Sequence, residues 1–437
     1  MKRALSLALT ALLLAGCTAA PTASGDAAAS AEPAPSPAAA ESTDTAEEAA
    51  ATSEALRPLL PGDKTQYYMI EPTEGELFRY VVADLVNHIT GVPCDIEGCT
   101  HDTETCPATF IRGESNAAFV LDENTLVAFT DTQSTADGGD KVILMDRNCQ
   151  DRRVFTAGSD EIFYVQDGSC PAYTDGQYLY CFGYHGSFGV SPAIYRIDLE
   201  TGVMTDLMAD NRLPIDLFLG DAGRYFIFMS SDLTYPNPNA DPTITVPNLP
   251  TGTITHYALD TATGEMRTLY TYTSDEWELS SLDAYVVDGQ YYQIDRAAGT
   301  LSTLDPATGE SRLITDGLPT ASLDSYNGDY RIVANVNGWL LFNGLPILVN
   351  INDGEIRQRA ELPENCWNDS GHQPNVYLNL GDTLLVDCRW EADTNTYIGS
   401  DGTPFTAEYS HVYLALISAD DYLNGVPNYT EVGEYAS

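Results

Sequence analysis

The chain has 437 residues, of which 64 are acidic and 20 basic, giving a formal net charge of −44 at pH 7. A field of that sign repels phosphate backbones and anionic lipid headgroups, which excludes nucleic acid and an electrostatically held membrane surface as partners. It suits the solvated surface of an exported protein, with a dedicated cation-binding role as the alternative.

The first element is a leader. MKRALSLALTALLLAGC sets Lys2 and Arg3 ahead of an apolar run from Ala4 to Leu14. That run is too short to span a hydrocarbon core of ~30 Å, so residues 1–17 read as a signal peptide. Their ending, Leu14-Ala15-Gly16-Cys17, resembles the lipobox of bacterial lipoproteins. The resemblance implies cleavage before Cys17, acylation of Cys17 (a palmitate-type anchor) and attachment to the extracytoplasmic side of a cell membrane. An ordinary secretory peptide with an incidental cysteine is the alternative. Loss of Lys2 and Arg3 leaves 18 basic residues against 64 acidic ones, a balance of −46.

Residues 18–57 are mostly Ala, Pro, Ser, Thr and Glu with no aromatic residue. Such a segment cannot offset its ordering entropy by burial and reads as a disordered tether, reaching roughly 35 Å as a flexible coil.

From 58 to 437 one phrase returns, a turn pair followed by alternating aromatic and aliphatic residues: EGELFRY (74–80), ENTLVAF (123–129), DGQYLY (175–180), AGRYFIF (222–228), DGQYYQI (288–294), NGWLLF (337–342) and GDTLLV (381–386). The turn positions 75, 124, 176, 223, 289, 338 and 381 are spaced 49, 52, 47, 66, 49 and 43 residues apart. A second phrase, IDLETG-like, follows at Asp198, Asp260, Asp305 and Asn350. Two hairpin signals per repeat describe a four-stranded antiparallel unit that cannot bury both its faces alone. Seven such units stacked radially can, which predicts an all-β fold, a β-propeller of seven blades, with six and eight as neighbouring counts and a two-domain β-sandwich as the alternative.

The Leu14–Cys17 box, the IDLETG-like phrases and the segment PCDIEGCTHDTETCPA together resemble extracytoplasmic lipoproteins of Gram-positive, gut-type bacteria that carry Tol-type propeller repeats. That group is mostly of unassigned activity, so the resemblance implies fold and location rather than a reaction.

Strand parity puts the two hairpin turns of every repeat on one face and the remaining connections on the other. The long segments 183–192, 230–250, 364–374 and 391–410 fall in the second class. They carry Tyr184, His185, Tyr235, Trp367, His372, Trp390 and Tyr397, the candidates for a binding face. Aromatic residues that merely pack loops together are the alternative. The cysteine-rich stretch is expected on the same face, after the fourth strand of the first repeat.

Beyond Cys17 there are eight cysteines, an even count that favours disulfides outside the cytoplasm. A two-residue turn at Asp175-Gly176 would set Cys170 opposite Cys181, and Cys366 and Cys388 bracket the last hairpin signal, NVYLNLGDTLLVDC. Cys94, Cys99, His101 and Cys106 form a tetrahedral set for zinc, although compact for one loop. Two disulfides among Cys94, Cys99, Cys106 and Cys149 are the competing reading, and free thiols a third. No other cofactor is expected. DGGD (137–140) and NDSG (368–371) could ligate calcium but lack EF-hand spacing, and turns use the same residues.

No nucleophile elbow, zincin motif, Walker loop or dinucleotide fingerprint occurs, and no catalytic residue can be nominated. The expectation is a cell-surface lipoprotein whose propeller binds a protein or extracellular ligand. The alternative is a propeller hydrolase or lyase acting on extracellular glycan or peptide.

Overall fold

In the computed structural model the described residues are 55–73, 77–111, 117–129, 140–157, 161–163, 172–185, 191–210, 215–234, 251–274, 282–320, 330–363, 374–398 and 404–432. They form seven separate antiparallel sheets, each built from consecutive chain segments. Blades 1 to 7 take the chain in order, from Gln66–Pro72 in the first to Thr430–Glu431 in the last. The only helix among the described residues is one turn, Ala419–Leu423, capped by Ser418.

The turns explain why each unit folds locally. Between the first two strands of blades 5 and 6, Asp288-Gly289 and Asn337-Gly338 both take positive φ, from 49° to 82°. This is the I′ geometry that matches strand twist. At the second hairpin of blades 3 to 6 one hydrogen bond recurs: Gly202, Gly264, Gly309 and Gly354 each donate N–H to the carbonyl of Asp198, Asp260, Asp305 and Asn350 at 2.8 to 3.0 Å. The Asp or Asn side chain adds an Asx turn by accepting the amide two residues on, as Asp305 Oδ1 does from Ala307 at 2.7 Å.

Packing closes the ring. Seven buried apolar clusters each span two neighbouring blades; for example, Phe119 and Val127 of blade 2 meet Leu179 and Tyr195 of blade 3. The cluster that joins the last blade to the first contains Leu378, Leu385 and Leu414 with Tyr67, Ala83 and Leu85. Among the described residues no strand is shared between blades 7 and 1; this apolar cluster links them, with Tyr67 and Tyr377 edge to face at 6.0 Å.

The N-terminal stretch has a different place. Arg57–Pro58 pairs with Tyr173–Thr174, the inner strand of blade 3. Leu56 N–H donates to Gly223 O in blade 4, Leu60 O accepts from Val120 of blade 2, and Pro61 O accepts from Tyr68 of blade 1. A β-carbon on Gly62 would lie 2.8 Å from Leu378 of blade 7. This segment of seven residues touches five consecutive blades and runs along the inside of the ring, ending in an antiparallel bridge between Gly62 and Tyr67. Leu59 is 1 % exposed there, and Arg147 holds Asp63 at 2.7 Å.

Two substitutions test this segment. Leu59→Ala is expected to cost about 3 kcal/mol by opening a cavity in the cluster between blades 2 and 3. Gly62→Ala is expected to destabilise as well, because backbone atoms of Gln66 and Tyr67 stand within 3 Å of the added carbon. Urea unfolding midpoints equal to that of the unchanged protein would contradict this placement.

Candidate metal centre and binding face

The cysteine-rich stretch is not a connection after a fourth strand, as its sequence position suggests. Ile89–Gly91 and Thr109–Ile111 both pair with Leu77–Asp84, and on the same edge of it. They are two halves of one strand, the outermost of blade 1, and residues 92–108 are inserted where only two residues facing Tyr80 and Val81 would be needed. On the inner side of the blade Gly62 bridges to Tyr67. The insertion reaches sideways to the second hairpin of blade 2, where Asp95 accepts from Asn148 Nδ2 at 3.2 Å and from Gln150 Nε2. Arg152 of that hairpin donates to Pro107 O. It therefore lies on the side of the tight turns, away from the long connections.

The inserted loop has little apolar material of its own, and Ile96 is 47 % exposed. What converges is its polar chemistry. The ligand atoms of Cys94, Cys99, His101 and Cys106 all lie within 4.8 Å of one another, and His101 Nδ1 stands 3.5 Å from Cys106 Sγ. Short turns aim them: Cys99 N–H donates to Ile96 O at 3.1 Å and Cys106 N–H to Thr103 O at 3.0 Å, while Gly98 and His101 take positive φ. The backbone N–H of His101 points at the Cys99 sulfur and holds its thiol below the usual range. Burial pushes Cys106 up to about 12, against a compensating N–H from Ala108. Cys149, buried at the blade 2 hairpin and pushed up to about 12 by burial, packs behind the four without joining their set. No disulfide links Cys94, Cys99, Cys106 or Cys149.

The other cysteines are placed only in part, since Cys170 and Cys366 lie outside the described residues. Tyr173 pairs with Tyr180 and Thr174 with Leu179, so the turn is two residues longer than a two-residue Asp175-Gly176 hairpin. The position across from buried Cys181 thus falls on Ala172, and direct opposition to Cys170 is lost as an argument for that bond. Thr174 Oγ1 donates to Tyr178 O at 2.7 Å and widens the turn. Cys388 Sγ lies 3.4 Å from Tyr413 O.

On the opposite side, strands run long. Tyr225–Thr234 pairs throughout with Thr251–Asp260, and Thr383–Ile398 with Pro404–Ser418. The last pair extends well past its inner neighbour Val376–Asn379, so residues 391–398 and 404–410 form a two-stranded arm. Tyr184 and His185 end a strand of blade 3, and Trp390 and Tyr397 lie along the arm. Their side chains, and the whole of Tyr235, Trp367, His372 and NDSG (368–371), lie outside the described residues, as do residues 137–139 of DGGD.

Sequence reasoning missed two features. One is the segment along the inside of the ring, signalled only by the leucines of RPLLPG at the end of the tether. The other is a groove of about 710 Å³ on the turn side between blades 4 and 5, lined by Arg224, Tyr225, Gln290, Asp305, Glu310 and Arg312. Arg224 of this lining meets Asp260 at 2.5 Å and stacks on Tyr225 at 5.4 Å, and Arg267 beside the groove stacks on the same ring at 5.1 Å. Near it Asp221, 5 % exposed, lies against the Asp288-Gly289 turn with Oδ2 unpaired among the described residues.

The seven sheets define the protein as a β-propeller with four-stranded antiparallel blades. No protein-family model and no curated protein matches the chain. Among solved structures it is similar to TolB from Acinetobacter baumannii at 13% identity, covering 83% of this chain and 77% of that one with a TM-score of 0.31. A 6-phosphogluconolactonase-like protein from Bacteroides uniformis gives 12%, 82%, 97% and 0.35 for the same quantities. An oligogalacturonate lyase from Vibrio parahaemolyticus gives 10%, 82%, 98% and 0.26. Likenesses this distant assign no activity.

Burial, and then the Asp288 carboxylate, raise Asp221 to about 7. Between the unfolded value near 4 and that value the folded chain holds a proton the unfolded chain lacks. Stability is therefore full below about pH 4 and falls as pH rises towards 7. Relative to Asp221→Asn, the unchanged protein is expected to lose about 1.4 kcal/mol per pH unit in that window. Parallel stability profiles for the two proteins from pH 4 to 8 would contradict it.

Proposed function

We propose that the protein is a lipid-anchored, extracytoplasmic scaffold that recognises a protein or extracellular ligand on the face of its long connections. The observation that carries this reading is the projecting surface on that side: the long antiparallel arm of blade 7 and the extended strand pair of blade 4.

Two measurements test the parts separately. Cys17→Ser is expected to move the protein from the membrane fraction to the soluble or secreted one, and an unchanged distribution would rule out the lipid anchor. With the anchor intact, Trp367→Ala combined with Trp390→Ala is expected to weaken cross-linking to the cell-surface partner at least tenfold, whereas Glu310→Ala on the turn side leaves it unchanged. Equal cross-linking by both variants would remove the proposed face.

A further inference from the structure

We propose that Cys94, Cys99, His101 and Cys106 bind one zinc ion, a closed structural site that fixes the insertion in blade 1 and clasps it to blade 2. The geometry suits the ion. Tetrahedral zinc, about 2.3 Å from sulfur and about 2.05 Å from imidazole nitrogen, sets sulfur–sulfur edges near ~3.8 Å and sulfur–nitrogen edges near ~3.5 Å. The four ligand atoms lie within 4.8 Å of one another, and the His101–Cys106 edge is 3.5 Å. That enclosure holds one ion and is too tight for an iron–sulfur cluster, and three thiolates with one imidazole select a soft or borderline metal over calcium or magnesium.

The donor set also argues against the competing chemistry. A disulfide within the set uses two sulfurs and strands the third beside His101. The backbone N–H groups aimed at Cys99 and Cys106 are hydrogen bonds that favour a thiolate, the species a metal ligand must be. The imidazole binds through Nδ1, which leaves Nε2 for an outer partner.

The fold supplies the reason for a crosslink. Residues 92–108 interrupt a strand, pack few apolar side chains and hold His101 at φ 58°, a conformation that persists only when its surroundings enforce it. With the ion bound, the loop becomes a rigid plate from which Asp95 reaches Asn148 and Gln150, joining blades 1 and 2 outside their shared apolar cluster. All four positions of the tetrahedron come from the protein, so the ion has no open site for substrate. Its role is structural whether or not the binding face acts as proposed above.

The full chain, purified without chelator, is expected to carry one zinc per molecule by elemental mass spectrometry, and cobalt exchange is expected to give the visible bands of a tetrahedral thiolate site. Three thiols should resist alkylation until a chelator is added, and proteolysis within 92–108 should then accelerate at least tenfold. Cys99→Ser and His101→Ala are expected to lower zinc affinity by at least a hundredfold. A folded chain without metal after growth in added zinc, or a peptide map with two of Cys94, Cys99 and Cys106 disulfide-linked, overturns the proposal. So does full zinc retention by both variants.

Discussion

Everything in this molecule depends on each small sheet burying both of its faces against neighbours. A four-stranded unit of the sizes seen here leaves two apolar surfaces wet if it stands alone, and at about 25 cal/mol per Å² that is a large penalty. The seven interblade clusters remove it at every joint, including the one between Leu378, Leu385 and Leu414 and the first blade. The N-terminal residues add to this by running along the inside of the ring. There they bridge blades 1, 2, 3 and 4 by backbone hydrogen bonds.

A ring held by its faces tolerates disturbance at its edges. The outermost strand of blade 1 can be cut and refilled with residues 92–108 because its two halves still pair with Leu77–Asp84. Blade 7 can extend Thr383–Ile398 and Pro404–Ser418 past the ring for the same reason. Elaboration thus separates into two places: a compact cysteine–histidine loop on the turn side, and projecting strands on the other.

Much of this was legible in residues. Gly202, Gly264, Gly309 and Gly354 sit at positive φ in equivalent turns because only glycine takes that conformation without cost, and their spacing announces the repeat. The grouping of Cys94, Cys99, His101 and Cys106 was likewise readable, since four ligand-type residues so close in sequence can meet with little chain to order. The location of that loop was not. Strand order within a blade is set by which edge is free, and a split strand looks in sequence like a strand followed by a connection. The Cys181 register failed for a related reason: Asp175-Gly176 has the composition of a two-residue turn, but Thr174 bonds to Tyr178 O and lengthens it.

The amino-acid sequence alone determined the leader-like N-terminus, the acidic balance, the seven-fold repeat and the four clustered ligands, because these rest on composition and local periodicity. The tertiary structure decided where the N-terminal segment runs, which blade the cysteine loop braces and how far the strands of blade 7 project. Those outcomes come from contacts between residues far apart in the chain, such as Leu56 with Gly223 and Asp95 with Gln150, and no local pattern encodes them.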